Sequence, residues 1–172
     1  MTLYLDTSAL VKLYVTEDGS HEVKSWVAAA SAIFTASITY AETRAALAQS
    51  WRAGSLSQSD LRRAVMEFDA AWKGYAVVEV SEALVLRAGG LAEEHALRGY
   101  DAVQLAAALD ARPSSSEHVF ASFDLDLNAA AAREGLRLAD LPDGVAERPA
   151  TPYRARLRRA DRPRVAASGR SR

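Results

Sequence analysis

The feature that most constrains the fold of this chain is a short apolar run near its start that stops on a carboxylate. Residues 3–5 (Leu-Tyr-Leu) predict a buried strand, Asp6 follows directly, and residues 9–15 are typical of a helix. In open α/β sheets, ligands bind beyond the carboxyl ends of the strands, so an acid at this point could contact a ligand or take part in a reaction. The alternative is that Asp6 or Ser8 only caps the helix.

Strand-like and helix-like segments alternate along most of the chain. Further β-prone runs are expected at residues 33–36, 76–80, 118–121 and 136–138. Helices are expected at residues 20–31, 39–52, 61–73, 82–97, 101–111 and 129–134. Such alternation is typical of a parallel sheet with helices on both faces. We therefore predict a three-layer α/β/α domain with about five parallel strands.

The C-terminal part of the chain differs in composition from the rest. Residues 148–172 hold nine arginines and a single acid, Asp161. Because the whole chain has 21 basic and 22 acidic residues, the part before them keeps 12 basic against 21 acidic residues. A segment rich in Arg and Pro, with few large apolar residues, cannot bury a core. We expect one domain over residues 1–141 and a disordered tail over residues 142–172, with a charge asymmetry that indicates a polyanionic partner.

Composition also excludes several classes of protein. No apolar run approaches the roughly 20 residues needed to span a bilayer, and nothing at Met1 resembles a secretory leader. The absence of cysteine excludes disulfides and zinc sites built from thiolates. We expect a cytoplasmic protein with no membrane segment.

Four acids fall at one edge of the predicted sheet. Asp6 and Asp124 directly follow the first and fourth strands. Glu42 lies early in the helix after the second strand, and Asp101 begins the helix that precedes the fourth strand. In a parallel sheet, strand C-termini and helix N-termini share that edge. Alternatively, Asp101 and Asp124 could lie there only because the helix dipole favours a negative charge at a helix N-terminus.

A cluster of carboxylates implies a cation, because like charges at close range favour protonation unless a positive charge neutralises them. Glu42 lies among apolar neighbours on its helix, an unusual place for an acid without a partner. Since the chain has no cysteine and His21, His95 and His118 are isolated in sequence, the cation should be Mg²⁺ or Mn²⁺. Such a cation generates a nucleophile suited to phosphodiester attack. Ser8 could cap the first helix or hold a metal-bound water, and both roles stay open.

Four stretches of the sequence resemble the PIN-domain nucleases, and within them the VapC-type toxins of bacterial toxin–antitoxin pairs. They are LDTSALVK at residues 5–12, SITYAE at 37–42, RGYDAVQLA at 98–106 and ASFDLDL at 121–127. The similarity extends over about residues 1–141, with the four motifs in the usual order.

The resemblance implies a PIN-like domain with a five-stranded parallel sheet, and an Mg²⁺- or Mn²⁺-dependent endoribonuclease that hydrolyses RNA phosphodiester bonds. It also implies a homodimer and inhibition by a cognate VapB-type antitoxin. The positions that match the family's catalytic, metal-binding acids are Asp6, Glu42, Asp101 and Asp124. Ser8 matches the family's supporting hydroxyl, and Asp126 matches an auxiliary position of some members.

Of three other interpretations of the sequence, the first fails on the residues and two stay open. A haloacid-type phosphatase also places an acid after its first strand, but it needs a second acid two residues later, where this chain has Ser8. A catalytically silent PIN-like module would bind RNA or protein without cleaving, and the intact acids argue against it. A PIN nuclease of RNA processing would act outside any toxin–antitoxin pair. The arginine-rich tail departs from the compact family pattern. It is either an RNA-binding arm or an extension of no consequence.

Overall fold

A computed structural model describes residues 1–112, 117–141 and 144 of the chain. The strands are β1 (Thr2–Leu5), β2 (Ala32–Ala36), β3 (Ala76–Val78), β4 (His118–Ala121) and β5 (Arg137–Leu138). The helices are α1 (Thr7–Val11), α2 (Ser20–Ala29), α3 (Ile38–Arg52), α4 (Gln58–Trp72), α5 (Glu82–His95), α6 (Gly99–Ala111) and α7 (Leu125–Arg133). The tail predicted over residues 142–172 lies outside the described residues except for Gly144, so the domain division stays a prediction.

The five strands form one sheet in the order β3-β2-β1-β4-β5, and every neighbouring pair is parallel. β1 is therefore the central strand. In its register Leu3 lies between Ile33 of β2 and Val119 of β4. This topology confirms the predicted parallel sheet, and it brings the ends of β1 and β4 side by side.

Side chains alternate across β1 and anchor a layer of helices on each face of the sheet. Leu3 and Leu5 belong to a buried cluster that includes residues of α1, α2 and α4. Tyr4 points to the opposite face, into a cluster built from α5, α6 and α7. The three-layer α/β/α arrangement is thus confirmed. No helix within the described ranges is both long enough and apolar enough to cross a membrane.

Three helices near the predicted site begin earlier than expected. α1 begins at Thr7 instead of residue 9, α6 at Gly99 instead of residue 101, and α7 at Leu125 instead of residue 129. In α1 and α7 the reason is a capping acid, Asp6 or Asp124, whose carboxylate accepts backbone N–H groups of the first turn. Two of the four candidate acids are therefore fixed by the helices that follow them.

Candidate active site

Asp6 lies at the carboxyl end of β1 and is buried, with 4% of its surface exposed. Its carboxylate accepts hydrogen bonds from the Ala9 N–H at 2.9 Å, from the Ser8 hydroxyl at 2.8 Å and from the Ser122 hydroxyl at 2.8 Å. Burial raises the pKa of Asp6 to about 7, although these hydrogen bonds pull it down, and the negative charge of Asp124 raises it further. Without a bound cation, the protonated and ionised forms of this carboxyl are therefore both populated near neutral pH.

Ser8 connects the segments that follow β1 and β4. Its hydroxyl donates to Asp6 and accepts the Phe123 backbone N–H at 2.8 Å. Ser8 lies within α1, and the cap of that helix is Asp6, so the capping role considered for Ser8 is wrong. Its observed role is to orient the Asp6 carboxylate.

Glu42 extends from the second turn of α3 into a network of buried polar groups. Its carboxylate accepts from the Thr7 hydroxyl at 2.5 Å and from the Gln104 amide at 3.0 Å. The same amide nitrogen donates to Thr39 at 2.9 Å, while the Gln104 carbonyl oxygen accepts from the Tyr4 hydroxyl at 2.8 Å. The unusual placement of Glu42 among apolar residues is explained by these partners.

Asp101 and Asp124 are joined by the guanidinium of Arg98. Arg98 Nε lies 2.6 Å from Asp101 Oδ2, and Nη2 lies 3.2 Å from Asp101 Oδ1 and 3.0 Å from Asp124 Oδ2. Burial raises the pKa of Asp101, and the ion pair with Arg98 opposes that rise. The hydrogen bond to Asp101 in turn raises the pKa of the Arg98 guanidinium.

All four predicted acids and Ser8 line a single cavity of about 500 Å³ at the carboxyl edge of the sheet. The cavity is formed where β1, α1, α3, α6 and the start of α7 meet, and it continues along α3 to Gln49 and Ser50. Asp126 is exposed and does not belong to the lining, although its charge acts on Asp101. Its auxiliary role stays a prediction.

Several residues of this site were not identified from the sequence, among them Thr7, Gln104, Arg98 and Ser122. Gln104 carried a usable signal, since it is an amide in an alanine-rich helix, three residues after Asp101 and on the buried side. Arg98 and Ser122 carried no such signal. Their roles depend on how segments far apart in the chain meet.

The lining of the cavity fits a hard divalent cation. Its acidic donors are carboxylate oxygens, supported by hydroxyl groups, which is the ligand set that Mg²⁺ and Mn²⁺ prefer. Among the described residues that line it, only Arg98 carries a positive charge, against five acids. Burial disfavours the ionised forms of Asp6 and Asp101 and raises the pKa of both carboxyls. A cation would relieve that cost.

A second group of potential ligands lies outside this cavity. Glu94, His95 and Glu134 bring their donor atoms within 4.8 Å of one another, and His95 Nε2 lies 2.8 Å from the Glu134 carboxylate. His95 is thus paired across the end of α5 and the end of α7, although it is isolated in sequence. This hydrogen bond accounts for the burial of the His95 side chain without a metal.

Comparison with known proteins agrees with the fold and with the arrangement of acids. The profile of the PIN domain family matches residues 3–133. The chain is 37% identical over 137 residues to Ribonuclease VapC45 of Mycobacterium tuberculosis (strain CDC 1551 / Oshkosh), covering 80% of this chain and 94% of that protein.

Two solved structures share the fold. One is Mycobacterium tuberculosis VapC20, described as a Sarcin-Ricin loop cleaving toxin, with a TM-score of 0.54 and 20% identity over 74% of this chain and 94% of the other. The other is VapBC2 from Rickettsia felis, bound to a DNA fragment from their promoter, with a TM-score of 0.56 and 15% identity over 83% of this chain and 100% of the other. The extent of the family match and the identity to the VapC ribonuclease lead to one conclusion: the chain belongs to the PIN-domain family, among its VapC-type nucleases.

Proposed function

We propose that this protein is an endoribonuclease that uses Mg²⁺ or Mn²⁺ and acts in the cytoplasm as the toxin of a toxin–antitoxin pair. The observation that carries the proposal is the convergence of Asp6, Glu42, Asp101 and Asp124 on one cavity, from four separate parts of the chain. The name of the related ribonuclease and the description of VapC20 as a toxin support the substrate and the biological role.

The four carboxylates would hold the cation, which when bound supplies a water of lowered pKa and neutralises phosphate charge. The protein prepares two of the carboxylates in advance. Ser8 and Ser122 orient Asp6, and Thr7 with Gln104 orients Glu42. Because each of these partners donates a hydrogen bond, it stabilises the ionised form that binds a cation.

The partners belong to the proposal as well. We propose a cognate VapB-type antitoxin, for which the similarity to VapBC2 is the support. We also propose a homodimer, because α5 and the start of α6 expose the apolar residues Val85, Leu86 and Tyr100 next to a groove of about 410 Å³. Monomeric proteins seldom leave such patches uncovered.

An RNA cleavage assay with purified protein tests the catalytic proposal. We expect cleavage with Mg²⁺ or Mn²⁺, none with EDTA, and none from Glu42→Gln, since a carboxamide lacks the charge that a hard cation needs. Glu93→Gln, which removes an exposed acid from α5, is the matched control and should cleave like the wild type. A wild-type protein that binds RNA but never cleaves it would favour the silent module instead.

The toxin role is tested separately in cells. Expression of the protein alone should arrest growth, and expression of Glu42→Gln should not. A nuclease that is active in vitro yet harmless in cells would favour RNA processing outside a toxin–antitoxin pair.

A further inference from the structure

The guanidinium of Arg98 lies between two of the carboxylates that a cation would need. Its Nε and Nη2 make three hydrogen bonds, of 2.6 to 3.2 Å, to Asp101 and Asp124. Nη1 has no hydrogen-bond partner among the described residues, and 47% of the Arg98 side chain is exposed. The two carboxylates are less accessible, at 18% and 13%. Arg98 therefore covers them on the solvent side.

The Arg98 side chain does not cap the helix that follows it. Arg98 occupies the N-cap position of α6, but its side chain makes no capping hydrogen bond. Within the described part of the chain, the hydrogen bonds of its guanidinium all go to the two acids. The pair with Asp101 lies within the first turn of α6, and the bond to Asp124 reaches across the cavity lining.

A divalent cation and a guanidinium compete for the same carboxylate groups. They repel each other, and each oxygen lone pair serves one partner at a time. Cation binding by Asp101 and Asp124 would therefore weaken their hold on the Arg98 fork and favour its displacement. The displaced guanidinium stays at the rim of the cavity, because its backbone is fixed at the start of α6. A planar fork of N–H donors suits a phosphate as well as it suits a carboxylate.

We propose that Arg98 positions the RNA phosphate. Its guanidinium is held by Asp101 and Asp124 in the metal-free protein and contacts the phosphodiester once a divalent cation takes over those carboxylates. The inference rests on the proposed nuclease function and adds a residue that binds substrate. It has two consequences of opposite sign, because Arg98 competes with the cation and attracts the RNA.

Arg98→Gln in the full chain tests both consequences. In calorimetric titrations without RNA, Mn²⁺ should bind about tenfold more tightly to the variant, since the competing charge is gone. In cleavage assays at saturating Mn²⁺, KM for RNA should rise about tenfold with a much smaller change in kcat, because a phosphate contact made before and during the reaction acts on binding. Arg98→Lys keeps the charge without the fork and should fall between the two proteins in both measurements.

Arg63→Gln is the matched control. Arg63 also pairs with an aspartate three residues away, Asp60, at 2.8 Å, but on α4 and outside the acid cavity. Its loss should leave the Mn²⁺ affinity and KM unchanged. Melting curves establish that each variant is folded, and Arg98→Lys carries the test if Arg98→Gln is not.

The possible outcomes separate this inference from the function on which it rests. If the wild type binds Mn²⁺ and cleaves RNA while Arg98→Gln binds Mn²⁺ no more tightly, the nuclease stands and the inference is wrong. Weaker Mn²⁺ binding by the variant would make Arg98 a support of the carboxylates, which also overturns the inference. If the wild type neither binds Mn²⁺ nor cleaves RNA, the proposed function fails, and the role of Arg98 fails with it.

Discussion

Asp6 and Asp124 each use one carboxylate oxygen to cap a helix, while the other oxygen makes contacts elsewhere in the site. In Asp124, Oδ1 accepts the Asp126 and Leu127 N–H groups, while Oδ2 faces Arg98. In Asp6, Oδ1 accepts the Ala9 N–H while Oδ2 takes the Ser122 hydroxyl. From the sequence alone, helix capping and catalysis are alternatives for such an acid. Here the cap fixes the direction of the carboxylate.

The buried Asp6 should make the metal-free protein less stable at neutral pH than in mild acid. Its pKa is about 7 in the folded protein against an ordinary 3.8, so the folded state holds this proton more tightly than the unfolded state does. The free energy of unfolding should therefore fall as pH rises from about 4 to about 7, by about 4 kcal/mol at most, since one pKa unit corresponds to about 1.4 kcal/mol. Thermal melts in EDTA at several pH values measure this trend.

Asp6→Asn should remove that contribution to the pH dependence and cleave no RNA. At pH 8 in EDTA it should melt above the wild type, whereas added Mg²⁺ should stabilise the wild type more than the variant. Asp18→Asn, at an exposed position, is the control and should retain the pH trend. Identical pH profiles for the wild type and Asp6→Asn would contradict the raised pKa.

Gln104 should be coupled energetically to Tyr4. Gln104→Met has similar length but leaves the fully buried Tyr4 hydroxyl without its acceptor, at a cost of about 1–3 kcal/mol. In a Tyr4→Phe background the same substitution should cost less, because that hydroxyl is already absent. Denaturant unfolding of the four proteins in the cycle gives the coupling energy. Strictly additive losses would show that the hydrogen bond contributes nothing to stability.

Sequence reasoning identified the four acids because element order alone places them at one edge of a parallel sheet. It could not identify Arg98 or Ser122, whose contacts to Asp124 and Asp6 depend on side-chain direction. Nor could it decide whether Ser8 caps the first helix or holds a metal-bound water. That distinction required knowing which residue began α1.

At the scale of elements, periodicity predicted every strand and helix but misplaced the starts of helices near the site. α7 was expected from residue 129 because its alanines carry the obvious helical signal. The first turn, residues 125–128, is held by the Asp124 cap and by tertiary contacts, including the hydrogen bond from Asn128 to the Ser122 carbonyl at 2.9 Å. Local propensity is weaker than such contacts.

Substitutions of Asp124 should separate its helix-capping role from its proposed catalytic role. Asp124→Asn keeps a side-chain oxygen for the Asp126 and Leu127 N–H groups, so stability should stay within about 0.5 kcal/mol while cleavage is lost. Asp124→Ala should lose cleavage and, in addition, about 1 kcal/mol of stability. Denaturant unfolding and RNA cleavage of both variants check this. If the Asp124→Asn variant still cleaved RNA, Asp124 would serve only as a helix cap.

At the scale of the whole molecule, the acid cavity and the exposed apolar face are neighbours. Tyr100, 62% exposed, lies beside the α5–α6 groove, and the next residue, Asp101, lines the cavity. A partner chain that covers the groove would therefore approach the rim of the active site. The proposed dimer interface and the proposed active site would therefore meet at the start of α6.

Leu86→Glu should abolish the proposed dimer. Leu86 is 71% exposed on α5, so a charge there costs the isolated chain little but would be buried in the dimer without a partner. Light scattering should give a dimer mass for the wild type and a monomer mass for the variant. Met66→Glu, at a 67% exposed position on α4, is the control and should remain dimeric. A wild-type protein that is monomeric at all concentrations would contradict the homodimer.

The parallel pairing of β1 with β4 also determines when this protein can act during its own synthesis. Among the described strands β1 is made first, yet its neighbour β4 begins only at His118. Since chains emerge N-terminus first, a nascent chain that displays Asp6 still lacks Asp101, Asp124 and the strand that brings them near it. The complete set of acids cannot exist on a ribosome before translation has passed Asp124.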